Sequence, residues 1–231
     1  MEPGNLFSAN PERLTRQGVH PEDEGGLIRR LRTHAPRGRD TAVREIRRTR
    51  RGDDDLNPGI LDPVQRIIPA AVLVPLIRRT DELHILLTRR TPHLNAHAGQ
   101  ICFPGGRIEA WDASAEAAAL RETQEEVGLA PSRIAVTAEL DPYMTRTGYR
   151  ITPLVGLLDP PSAVRPAPDE VAEVFEVPLS FILTPENRQT HTRKVEGKEH
   201  AFHIFIYGGY NIWGATAGML VNLAEVLTQP C

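Results

Sequence analysis

From Gly105 to Leu129 the chain combines two demands that few local structures satisfy. A glycine pair, Gly105-Gly106, calls for a tight turn and a close backbone approach. Eight residues after it begins a run, Ser114 to Val127, that reads as a helix closed by Gly128 and Pro131. Upstream, Gln100-Ile-Cys-Phe103 reads as a short strand ending at Pro104. The unit is strand, glycine loop, helix.

That helix carries Arg121, Glu122, Glu125 and Glu126. Residues three and four apart stand on one face, with Cβ atoms roughly 5–6 Å apart. The three glutamates therefore share an arc of roughly 100°. Each like-charged pair costs about 0.2–0.5 kcal/mol on an exposed helix. Acidic helix faces are most often simply solvated. Beside a glycine loop, however, the arrangement points to a hard divalent cation, which prefers carboxylate oxygen and brings phosphate chemistry with it. Arg121, one turn before Glu125, is positioned to pair with it.

The remaining chain frames this unit. Pro69 to Ile77 and Leu83 to Thr88 read as a strand hairpin, and Pro92 to Gly99 as a loop. Strands are expected at 133–140, 149–158 and 171–178, with a short helix or turn at 178–185. A hairpin is expected around Gly197, over 192–207, and an amphipathic closing helix over 212–227. Strands outnumber helices, and the helices are dispersed along the chain. An α+β fold follows, with a mixed sheet and helices on its faces.

Composition excludes several classes. A net charge of -3 does not make the whole chain an electrostatic nucleic-acid binder. The longest apolar run, Ile67 to Ile77, holds Pro69 and Pro75 and is too short to span a bilayer. Two cysteines, Cys102 and Cys231, form neither a disulfide framework nor a zinc site, in keeping with a reducing cytoplasm. No secretory signal is visible at the N-terminus. Residues 1–62 differ in texture from 63–231. Ten arginines between Arg29 and Arg51 face only Asp40 and Glu45, and Asp53, Asp54 and Asp55 follow. We expect a polar, partly helical extension packed loosely on a domain at 63–231, not an RNA-binding arm, because no aromatics interleave with the arginines.

Gly106, Asp112, Arg121-Glu122, Glu125-Glu126, Gly128 and Leu129 resemble the signature of the Nudix hydrolases. Three departures are visible: Asp112 stands where that family has Glu, eight residues instead of seven precede Arg121, and Thr123 replaces an aliphatic residue. Upstream, Leu86-Leu-Thr-Arg-Arg-Thr91 and His97-Ala-Gly-Gln-Ile-Cys-Phe-Pro-Gly-Gly106 are similar to the element preceding that signature in coenzyme A pyrophosphatases, with Thr91 for Ser and Asn95 for Arg. The segments at 147–156, 169–179 and 212–218 are also similar to this subgroup.

The resemblance implies a Nudix fold, an α/β/α sandwich with a mixed β-sheet and a loop–helix–loop. It implies Mg2+ or Mn2+ held by Glu122 and Glu126, with Glu125 in or near the shell. Glu122, Glu125 and Arg121 would form the catalytic set. Gly105, Gly106, Arg89 and Arg90 would contact substrate, and Glu170 is a further candidate carboxylate for base or metal work. The implied reaction cleaves the pyrophosphate of coenzyme A to 4'-phosphopantetheine and 3',5'-ADP. The alternatives are another nucleoside diphosphate derivative, such as NADH or a dinucleoside polyphosphate, or a nucleotide-binding module without catalysis. A homodimer is compatible with this reading. His97 is expected to be a loop hydrogen-bonder and Cys102 a core residue, and Trp213 is expected to anchor the last helix in preference to stacking an adenine ring. Tyr149 reads equally well as structural or as substrate-facing.

Overall fold

The computed structural model describes residues 24–34, 51–62, 64–93, 98–160, 164–195 and 197–228. Asn95, His97 and Cys231 lie outside them.

A nine-stranded mixed sheet is built around β2 (Ile68–Arg78). β2 runs parallel to β8 (Tyr149–Leu158), with Ile68 opposite Tyr149 and Ile77 opposite Leu158. It runs antiparallel to β3 (Leu83–Arg90) and to the short β5 (Gly105–Arg107). β3 also pairs with β4 (Ile101–Cys102) and β9 (Val171–Pro178). On the other side, β8 pairs with β6 (Ile134–Glu139) and β7 (Tyr143–Met144), and β7 with the two-residue β1 (Arg51–Gly52).

β2 is buried on both faces, which explains its unbroken apolar run. Alternation divides its side chains between two cores. Val72, Val74 and Leu76 face α1 (Glu24–Thr33) and α4 (Ala215–Thr228). Ala71, Leu73 and Ile77 face α2 (Ala115–Val127). Helices on both faces of a mixed sheet form the expected α+β sandwich. A small helix, α3 (Leu179–Leu183), follows β9.

A second sheet of β10 (Arg188–Val195), β11 (Lys198–Tyr207) and β12 (Tyr210–Trp213) stands beside the first. The hairpin expected around Gly197 is present. The closing helix is shorter than expected, because residues 210–213 pair with β11 and Gly214 (φ +66°) breaks the chain before α4 begins.

Residues 24–34 and 51–62, read from sequence as part of an extension, contact the rest of the chain closely. Leu27 and Leu31 of α1 are buried in the main core. Arg51 pairs with Glu225 and stands 3.7 Å from Asp141. Asp53 accepts a hydrogen bond from the Tyr143 hydroxyl at 2.9 Å and another from the Arg146 N–H at 2.8 Å. The Asn57 side chain exchanges two hydrogen bonds with the Ala201 backbone, at 2.8 and 2.7 Å. This strap joins the two sheets. No described helix is long and apolar enough to cross a membrane.

Candidate active site

α2 begins where Ser114 caps it, its hydroxyl accepting from the Ala117 N–H at 3.1 Å. It ends at Gly128, whose φ of +72° suits glycine and whose N–H bonds the Gln124 carbonyl. Ala118, Ala119, Thr123, Glu126 and Val127 form its buried face. Thr123, in place of an aliphatic residue, satisfies its hydroxyl on the Ala119 carbonyl. Glu126 thus lies on the apolar side of the helix, against the glycine pair, while Glu122 stands half-buried at the edge of that face.

The glycines make this contact. Gly105 (φ +150°) has no room for a side chain: a Cβ would stand 2.4 Å from the Ala71 carbonyl oxygen. Its N–H donates to Glu126 Oε2 at 3.2 Å. A Cβ on Gly106 would stand 2.6 Å from the Glu122 carboxyl carbon. The pair is therefore a cradle for two carboxylates.

Arg121 organises the surrounding acids. Its guanidinium holds both oxygens of Asp112 at 3.0 Å, Glu122 at 2.9 Å and Glu125 at 3.0 Å. Asp112 also accepts from the Glu109 N–H at 2.8 Å, and its carboxyl lies below the usual range chiefly because of the Arg121 hydrogen bond. The role of Asp112, left open by sequence, is thus to anchor Arg121 to the loop. Glu125 is exposed and stands apart from the cradle.

Glu126 is different in character. Burial, more than any neighbour, pushes its carboxyl up to about 7, against the opposing pull of the Gly105 N–H and Arg90. Arg90 Nη1 is 3.7 Å away. Burial also raises the Glu122 carboxyl, and the charge of Glu170 acts on both. Two carboxylates held against the backbone, Glu122 paired with Arg121 and Glu126 with Arg90 3.7 Å away, form an oxygen-only donor set of the kind a hard divalent cation prefers. As they stand, Glu122, Glu125 and Glu126 do not converge on one point. Among the described residues, the cluster of three that does is Asp81, Glu82 and His84, at the hairpin turn. Glu82 there is engaged in capping Ser180.

The expected phosphate contacts separate by strand alternation. Arg90 lines the cleft, whereas Arg89 points elsewhere and pairs with Glu173 at 3.0 Å. Cys102 lies under Thr88, whose hydroxyl is 3.2 Å from its sulfur, and burial pushes its thiol up to about 11.

The glycine pair opens into a cleft of about 710 Å³ between the two sheets. Arg107, Arg146 and Tyr149, most of the strap 51–57, and Arg188, Arg193, Phe202 and Trp213 line it. The Tyr149 hydroxyl accepts from Arg107 at 2.9 Å. The strap and the Phe202 face escaped the sequence reading, because only tertiary contacts bring them here.

A NUDIX domain model matches residues 68–196. The "Uncharacterized Nudix hydrolase NudL" of Escherichia coli (strain K12) is 44% identical over 155 residues, covering 67% of this chain and 80% of that protein. Its counterpart in Shigella boydii serotype 18 is 43% identical over the same length and shares of each chain. Among solved structures, a C. elegans Ap4A hydrolase in a binary complex overlays with a TM-score of 0.42 at 19% identity, covering 49% of this chain and 82% of that one.

Proposed function

This chain belongs to the Nudix family and is a pyrophosphohydrolase of nucleoside diphosphate derivatives, and we propose that its substrate is coenzyme A or a coenzyme A derivative. The observation that carries this reading is the cleft. It begins at Gly105, Gly106 and Arg90 and continues for about 710 Å³ past further arginines and aromatic rings. The likeness of residues 86–106 to coenzyme A pyrophosphatases supports the same substrate.

Glu122 and Glu126 would hold Mg2+ or Mn2+, with Glu125 beside them. A divalent ion held there would supply positive charge for the phosphate oxygens and lower the pKa of a water. The chain supplies position. Gly105 and Gly106 let a pyrophosphate approach the backbone. Arg90 offers its charge to a phosphate oxygen. Arg121 fixes the rotamers of Glu122 and Glu125, and Glu170 is the candidate to accept the proton of the attacking water. Water oxygen bonds to one phosphorus, the bridging P–O bond breaks, and 4'-phosphopantetheine and 3',5'-ADP leave. Residues 63–231 would form the hydrolase domain, with the strap of 51–60 as one wall of its cleft.

The test is product chromatography after incubation with Mg2+ or Mn2+ and a panel of coenzyme A, NADH, diadenosine polyphosphates and nucleoside triphosphates. Turnover of coenzyme A to the two named products is expected. Turnover of NADH without coenzyme A would overturn the substrate assignment.

A further inference from the structure

Two aromatic side chains of the second sheet lie outside every hydrophobic core formed by the described residues. Cross-strand partners share a face. His191 opposite Phe202, Arg193 opposite His200, and Ile204 opposite Trp213 therefore bring these residues to one side of the sheet. On the reverse side, Phe205 and Ile212 are fully buried in the main core. Phe202 and Trp213 are only half-buried, and neither joins a core cluster. They pack on each other, with ring centroids 5.6 Å apart and planes at 60°.

This aromatic face lines the same cleft as Gly105, Gly106 and Arg90. Trp213 is brought there by β12 and by the next turn, where the Thr216 hydroxyl bonds the Ile101 carbonyl of β4 at 3.0 Å. At its rim, His200 presents a buried Nδ1 with no hydrogen-bond partner among the described residues. Arg193, its cross-strand neighbour, is exposed. Half-exposed rings in a cleft leave apolar surface in water that a flat ligand would cover. An unsatisfied ring nitrogen offers that ligand a polar edge. An arginine beside them favours an anion. A nucleobase attached to phosphate meets all three conditions. Phe202 and Trp213 both lie beyond residues 68–196, so the domain match does not assign them.

We propose that the Phe202–Trp213 face is the stacking platform for the adenine ring of the substrate's nucleotide half, with His200 and Arg193 at its rim. The identity of the ring rests on the coenzyme A reading; the platform itself does not.

Trp111, which is 75% exposed, is the second of two tryptophans, so a Trp111→Phe protein reports on Trp213 alone. Titrate it in Mg2+ buffer with 3',5'-ADP, AMP and 4'-phosphopantetheine, none of which contains a pyrophosphate. The adenine nucleotides should quench its fluorescence saturably, and 4'-phosphopantetheine should not. Phe202→Leu, which keeps bulk without a π face, should weaken nucleotide binding and raise KM by about tenfold with little change in kcat. Phe202→Tyr should restore both. Absence of quenching by both nucleotides in a protein that hydrolyses coenzyme A would overturn the platform and leave the substrate reading standing. Quenching by AMP in a protein that ignores coenzyme A would do the reverse. Equal KM in the Leu and Tyr variants would also overturn the platform.

Discussion

A single guanidinium decides how the acids of α2 behave. Arg121 binds Asp112, Glu122 and Glu125 at once, so the repulsion implied by three glutamates is largely relieved within the chain. Glu126 is left as the buried acid whose nearest cation, Arg90, is 3.7 Å away. Its carboxyl is raised from 4.5 to about 7 in the fold. The metal-free protein then gains its full contribution from a protonated Glu126 below about 4.5, and loses it as pH rises towards 7. Glu126→Gln should flatten this stretch of the stability profile, read by thermal melts without metal. The same variant should lose metal-dependent hydrolysis by at least about a hundredfold; near-normal rates would mean another residue holds the ion. Cys102 makes a second pH prediction. With its thiol raised to about 11, little thiolate exists at pH 8. Alkylation mapped by mass spectrometry should leave Cys102 unmodified at pH 8 in the folded protein, and modify it on unfolding.

At the scale of elements, the glycine pair is a strand and not only a loop. β5 pairs with β2, and α2 packs over both, so the acidic helix and the sheet meet at Gly105 and Gly106 with no side chain between them. Gly105→Ala would put a methyl group into the Ala71 carbonyl of the central strand, at a φ unsuited to alanine. A loss of about 2–4 kcal/mol is expected, measured by denaturant unfolding; an unchanged midpoint would mean that β5 does not pair as described. Most strands and the close of α2 at Gly128 were legible in the sequence, because alternation and glycine placement are local signals. β12 was not. Residues 212–213 carry apolar spacing that continues smoothly into α4, and only pairing with β11 and the break at Gly214 reveal a strand.

At the scale of the whole molecule, the site draws on segments far apart in sequence. The strap from Arg51 to Asn57 holds the β7–β8 turn through Asp53 and the second sheet through Asn57. α1 closes the core over α4 with Leu27 and Leu31. Leu31→Ala should cost about 2–4 kcal/mol of unfolding free energy. A negligible cost would mean that α1 is dispensable to the domain.

The sequence alone pointed to metal and phosphate chemistry and to a mixed sheet with helices on its faces, through the glycine pair, the helix period and the strand alternation, and its resemblance to the Nudix signature supplied the reaction class. It also singled out Glu122, Glu125 and Glu126, although it could not separate their environments. Only the tertiary structure buried Glu126 and left Glu125 exposed. It turned Arg89 towards Glu173 while Arg90 entered the cleft. It brought the strap, Phe202 and Trp213 to the cleft that the glycines line. These outcomes depend on which surfaces meet, and burial, ion pairing and cleft shape arise from contacts between residues that no local pattern connects.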